Sequence, residues 1–208
     1  MKVLVIDDSP LNQESARQTI TDHDLTVVGT YDEAYDLLLV SFHGRPQCNE
    51  PFEVVLTDLL MPAGSRNQCG PGKEFVGQEM PVGFALALNA VLHGAKYVGV
   101  VSMGEHHHHP ALAMLDRLGS YGGWNDRSPT GPTPVRFNMN GAKVGFFPLW
   151  GGRIQVEGFA CPACNGEGEC RVHDNADGTV NWDYGKDWGK ILTHLINSPV
   201  EPDGYVLS

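Results

Sequence analysis

Along the first 118 residues, short aliphatic runs alternate with stretches whose apolar positions recur at helical spacing. Lys2–Ile6 is a continuous aliphatic run closed by acids, the pattern of a strand buried on both faces. Ser9-Pro10 then supplies an N-cap followed by a proline at the first helical position, and Leu11–Thr21 reads as a helix with Leu11, Ala16 and Ile20 near one face. The rhythm repeats: strand candidate Leu25–Thr30, helix Asp32–Val40, strand Phe52–Leu56, then a polar, Gly-containing loop from Ala63 to Glu79. Helix resumes at Pro81, with the apolar stretch Phe84–Leu92 stopped by His93-Gly94. Lys96–Ser102 reads as a fourth strand and Pro110–Leu118 as a short helix.

Parallel neighbours require crossovers, and the helices that make them cover both sheet faces. The pattern therefore predicts an α/β domain over residues 1–150 with an open, mostly parallel, five-stranded, doubly wound sheet. Past Gly119 it loosens into a Gly/Pro/Ser loop. Asn140-Gly141 between Val135–Met139 and Ala142–Phe147 then signals a hairpin, one arm of which would be the fifth strand. Residues 151–208 carry a cysteine-containing loop segment and the amphipathic stretch Trp188–Ile196, expected as a closing helix packed on the same domain. Trp182, Tyr184 and Trp188 read as core or lid residues.

Composition narrows the partners. With 25 acidic against 14 basic side chains, the chain carries a net charge of −11, which works against binding a phosphate backbone, so no nucleic-acid partner is expected. No apolar stretch approaches the roughly 20 residues of a membrane span. The N-terminus lacks the features of a secretory signal, so a cytoplasmic location is expected, with no membrane partner. The content of 25 Gly and 14 Pro predicts long irregular connections.

In an open parallel sheet the ligand site lies at the carboxyl ends of the strands. Asp7 and Asp8 end the first run, Asp58 closes the third and Ser102 the fourth. Three converging carboxylates repel one another, and a hard divalent cation, magnesium above all, is the natural means of keeping all three ionised.

These residues also carry a family resemblance. Lys2-Val3-Leu4-Val5-Ile6-Asp7-Asp8-Ser9-Pro10, Val54-Val55-Leu56-Thr57-Asp58-Leu59-Leu60-Met61-Pro62 and Val100-Val101-Ser102 resemble the receiver domain of two-component response regulators, closely over residues 1–62 and more loosely over 81–118. The resemblance implies a flavodoxin-like receiver fold. It implies Asp58 as phosphoacceptor, served by a histidine kinase, a phosphotransfer protein or a small donor, and a downstream protein target. Asp8 would bind magnesium directly, Asp7 through water, and the Leu60 carbonyl would complete the protein ligands. Ser102 would hydrogen-bond the phosphoryl group.

The family also has a lysine at the end of the fifth strand. Lys143 fills that position if Val135–Met139 is the strand, and sits at the wrong end if Ala142–Phe147 is. The helix usual after Met-Pro is replaced here by the 63–80 loop with Cys69, Lys73 and Glu74. The run His106–His109 after Ser102 reads either as a solvated loop or as imidazoles that shift the metal preference toward zinc, iron or manganese.

Cys161-x2-Cys164-x5-Cys170-x2-His173 has a compact spacing that suits a structural zinc site; unligated thiols and a redox pair are the other readings. Cys48 and Cys69 stand alone. The leading expectation is a stand-alone receiver-like signalling protein. A metal-dependent hydrolase using the acids and His106–His109, and a non-phosphorylated pseudo-receiver interaction module, are the alternatives.

Overall fold

The structure, a computed structural model of the chain, describes residues 1–39, 51–66, 68–102, 109–110, 113, 134–148, 153–157 and 184–197. Five parallel strands form the body of one sheet: β1 (Lys2–Ile6), β2 (Asp24–Val28), β3 (Val54–Asp58), β6 (Tyr97–Ser102) and β8 (Ala142–Pro148), with β7 (Val135–Met139) antiparallel at one edge. The order is β2-β1-β3-β6-β8-β7, so the sheet has six strands rather than the expected five, because both arms of the hairpin join it. Asn140 and Gly141 take φ of 49° and 84°, the left-handed pair that a tight two-residue hairpin turn requires and that Asn-Gly adopts most readily.

Alternation along β1 shows why both faces are covered. Leu4 and Ile6 enter one core with Val55, Val98, Val144 and Phe146, against Ala34 and Leu38 of α2 (Tyr31–Leu39) and Leu86, Ala90 and Val91 of α3 (Val82–Leu92). Val3 and Val5 enter the other with Val54, Leu56, Val101 and Phe147. That second face is closed by Ala16 of α1 (Pro10–Thr19) and by Trp188, Ile191, Leu192 and Leu195 of α4 (Trp188–Asn197). The C-terminal helix is therefore part of the same core as the N-terminal strand, held by the apolar stripe that its spacing displays.

The 63–80 excursion is not a featureless loop. Its ends are tied by a short ladder between β4 (Met61–Pro62) and β5 (Glu79–Met80), and it contains a 3₁₀ helix, Gly70–Phe75, none of whose residues is buried. Ala63 N–H donates to the Gln78 carbonyl at 2.8 Å and Gly77 N–H to the Ala63 carbonyl at 2.8 Å, while the Ser65 and Arg66 N–H groups donate to the Asp32 carboxylate of α2, at 3.1 and 3.0 Å. A separate two-stranded ribbon pairs β9 (Arg153–Gln155) with β10 (Tyr184–Lys186), antiparallel. Among the described residues no helix is long and apolar enough to cross a membrane. The expected helix at 110–118 and the cysteine segment lie outside the described residues, except for isolated positions in the former.

Candidate functional site

The sheet order places β1 beside β3, with β2 on the outer side of β1 and β6 on the outer side of β3. Chain direction diverges at that pair, and the crevice beyond its carboxyl ends is where open α/β sheets hold ligands. Asp7 follows β1 directly and Asp58 is the last residue of β3. Asp7, Asp8 and Asp58 each present an oxygen within 4.8 Å of the others, with Asp7 fully buried, Asp58 half-buried and Asp8 exposed.

Each carboxylate is oriented by its own loop. Asp7 Oδ1 accepts the Ser9 N–H at 2.9 Å and the Asn12 side-chain amide at 3.1 Å, which turns the chain into α1. Ser9 is the N-cap residue of that helix, yet its side chain makes no capping bond; its carbonyl accepts the Gln13 N–H instead. Asp58 Oδ1 accepts the Leu59 N–H at 2.7 Å.

The remaining oxygens meet a cation supplied from far along the chain. Lys186, at the end of β10 and fully buried, places Nζ 2.5 Å from Asp7 Oδ2 and 2.9 Å from Asp58 Oδ2, and 5.2 Å from the centre of the Trp188 ring. Its backbone is sewn to α1. Lys186 N–H donates to Asn12 Oδ1 at 3.0 Å, the Ser15 hydroxyl donates to the Lys186 carbonyl, and the Trp188 indole N–H donates to the Asn12 carbonyl at 3.0 Å. Gly185 is what permits this approach, because a Cβ there would lie 2.8 Å from Ser15 Cβ and 3.1 Å from Val156.

Electrostatics follow from burial. Loss of water is the largest influence on Asp58 and raises its pKa; Lys186 pulls it back, repulsion from Asp7 adds to the rise, and the net value is about 6. Asp8 is also raised: although the residue is exposed, its carboxylate is partly shielded from water, which is the largest influence, followed by repulsion from Asp7, with Glu79 of β5 adding to the effect. For Lys186 burial works against the charge, but attraction to Asp7 and Asp58 outweighs it and its pKa lies above the ordinary lysine value. One ammonium among three carboxylates leaves the cluster short of positive charge. That deficit, with an all-oxygen donor set, fits a hard dication, and Asp7, Asp8 and Asp58 are the residues that would hold it.

The other expected site residues are distributed differently. Ser102 is buried at the carboxyl end of β6, one position beyond the Asp58–Val101 register pair. Leu60 follows Asp58 by two residues and packs its side chain on the core. Lys143 is a correction: Ala142–Pro148 is the strand parallel to β6, and Lys143 pairs with Tyr97 at its opening end. There Lys143 Nζ donates to the Ile196 carbonyl at 3.3 Å and lies 5.7 Å from the centre of the Tyr97 ring. Five strand residues, about 16 Å, separate that end from Ser102. Cys69 is exposed, as are Lys73 and Glu74 on the 3₁₀ helix.

His106–His108 and Cys161, Cys164, Cys170 and His173 lie outside the described residues. Lys186 and Asn12 were not legible as site residues: Lys186 is joined to the acids by no short motif, and Asn12 looks like an ordinary polar position in a helix. The one available signal was a lone lysine in Tyr184-Gly185-Lys186-Asp187-Trp188, just before an amphipathic helix. Compared with protein-family models, curated proteins and solved structures, the chain has no significant match in any of the three.

Proposed function

We propose that this protein is a receiver-like phosphoacceptor with a flavodoxin-like fold, taking a phosphoryl group on Asp58 from a histidine kinase, a phosphotransfer protein or a small acyl phosphate. The observation that carries the reading is the Lys186 ammonium bridging Asp7 and Asp58 at the carboxyl ends of adjacent strands, with Asp8 alongside. A receiver-like site needs an acid pair, an acceptor carboxylate and a lysine; Lys186 supplies the fourth element from a different part of the chain than the fifth strand.

The chemistry follows from charge. A carboxylate oxygen of Asp58 attacks the donor phosphorus, the bond from phosphorus to the donor's leaving atom breaks, and an acyl phosphate forms. Lys186 lies within reach of the incoming phosphoryl oxygens while staying paired to Asp7, and offsets the charge that accumulates on them. Ser102 offers a hydroxyl at the end of the neighbouring strand. Magnesium held by Asp7, Asp8 and Asp58, together with the Leu60 carbonyl, would supply further neutralisation of the phosphoryl oxygens.

Intact mass after incubation with acetyl phosphate and magnesium tests this. The expected outcome is a gain of about 80 Da, the mass of one phosphoryl group, in the wild type and no gain in Asp58→Asn. An unchanged wild-type mass, at saturating donor and magnesium, overturns phosphoacceptance.

A further inference from the structure

Asn12 is used twice at this site. Its side-chain amide donates to Asp7 Oδ1 at 3.1 Å, and its side-chain oxygen accepts the Lys186 N–H at 3.0 Å. Its carbonyl accepts the Trp188 indole N–H at 3.0 Å. The residue is 4% exposed, so both ends of its amide are committed inside the protein. Asp7 and Lys186 stand 179 positions apart, and Asn12 is the described side chain that bonds to both.

We propose that Asn12 is a positioning residue that couples the orientation of the Asp7 carboxylate to the placement of Lys186 between Asp7 and Asp58; as a statement about reaction it rests on the phosphoacceptor reading. The physical argument is one of constraint. A lysine side chain has four freely rotating bonds, and burying it at a single point costs it that rotamer freedom. The ammonium is held at its far end by two carboxylates, so the root of the side chain must also be fixed for Nζ to bridge both. Asn12 fixes that root at the Lys186 N–H, alongside the Ser15 hydroxyl on its carbonyl and the β9 pairing, and is the one of these that also reaches Asp7, whose carboxylate its other end stops from turning away. A neutral amide can donate to one partner and accept from the other; aspartate at this position lacks the donor, and leucine, similar in size, lacks both.

Chemical accessibility of Lys186 tests the coupling without depending on phosphorylation. The folded wild type and variants are pulsed with acetic anhydride, acetylation of Lys186 is read by peptide mass spectrometry, and amide hydrogen exchange of β1 and β3 is followed in parallel. Asn12→Ala is expected to raise Lys186 acetylation at least tenfold while exchange in β1 and β3 changes less than twofold. Asn12→Leu, which keeps the volume, is expected to behave alike and decides the matter if the alanine variant does not fold. Thr19→Val removes the hydroxyl that accepts the Gly189 N–H at 3.1 Å, loosening the same α1–α4 seam away from the lysine, and is expected to change acetylation less than twofold.

The proposal is overturned if the Asn12 variants acetylate no faster than Thr19→Val, or only in proportion to exchange of the central strands, which is what a merely structural role produces. Asp58 phosphorylation by acetyl phosphate adds the kinetic signature: the maximal rate falls at least tenfold while the half-saturating donor concentration stays within twofold. A wild type that takes no phosphoryl group removes the phosphoacceptor reading alone, because the acetylation ratio still decides whether Asn12 places Lys186.

Discussion

Two lysine–carboxylate pairs stand at opposite ends of the same sheet and differ in almost everything except distance. Lys96 and Glu53, which immediately precede β6 and β3, meet at 2.8 Å with side chains 66% and 36% exposed. Lys186 meets Asp7 at 2.5 Å and Asp58 at 2.9 Å with the lysine and Asp7 wholly excluded from water. The first pair follows from strand register, since Val54 and Tyr97 are partners and their predecessors are necessarily neighbours. The second exists only because a distant segment was brought in. Solvent screens the exposed pair, while the buried one interacts strongly but has given up hydration to do so. Proximity in itself therefore says little; burial decides which pair matters.

Breaking the buried pair should have the largest effect. Lys186→Met leaves two carboxylates facing each other without a counter-charge, and about 3–5 kcal/mol of stability is expected to be lost at pH 7.5, read from urea unfolding. Trp188→Ala removes a fully buried indole that packs on the second core and bonds to Asn12, and about 3–5 kcal/mol is expected there too. The two variants separate on pH. The Lys186→Met deficit should shrink toward pH 4 as the carboxylates take up protons, whereas the Trp188→Ala deficit should change little.

A smaller effect concerns Asp58 in the wild type. Its folded pKa of about 6 lies above the unfolded value near 3.9, so its favourable contribution is fully present below about pH 4 and is lost as pH rises through about 6. Asp58→Asn lacks this titration. The stability of Asp58→Asn relative to wild type is expected to rise by something on the order of 2 kcal/mol between pH 4 and pH 7, measured by urea midpoints at one-unit intervals. A difference that stays flat across that range would show that Asp58 does not titrate there.

Magnesium gives a third comparison. Binding requires Asp58 ionised, so affinity measured by calorimetry should fall about tenfold from pH 7.5 to pH 5, and the Asp8→Asn variant should bind more weakly at both. Least affected should be the exposed end: Lys96→Met is expected to leave the urea midpoint unchanged within error, since exposed pairs of this kind rarely contribute measurably.

Much of the sheet was legible because strand burial writes itself as continuous aliphatic runs. Lys2–Ile6 was read with the bounds it has in the structure, and the Asn140-Gly141 turn adopts the conformation its residues favour. The acid cluster was legible for the same reason, because β1 and β3 pair in parallel and carry Asp7 and Asp58 to one end. The sixth strand was missed because a hairpin arm looks the same whether it is paired on one side or two. The place of Lys143 was left open between two readings because a hairpin's two arms run in opposite directions, and which arm joins β6 is settled by packing on the sheet rather than by the turn.

The local sequence determined what each segment is: aliphatic runs that must leave water as strands, and an amphipathic stripe at Trp188–Ile196 that must cover something. It also determined that carboxylates end two of those strands. Only the tertiary structure decided what meets them. Beyond its place just before an amphipathic stretch, Lys186 carries no local signal, since its role depends on Gly185 allowing close approach to Ser15, on Asn12 holding its backbone, and on α4 burying Trp188 against the same face as Val3 and Val5. Hydrophobic burial acts on local pattern and is readable there. The pairing of buried charges depends on where the folded chain leaves no water, and that is a property of the whole.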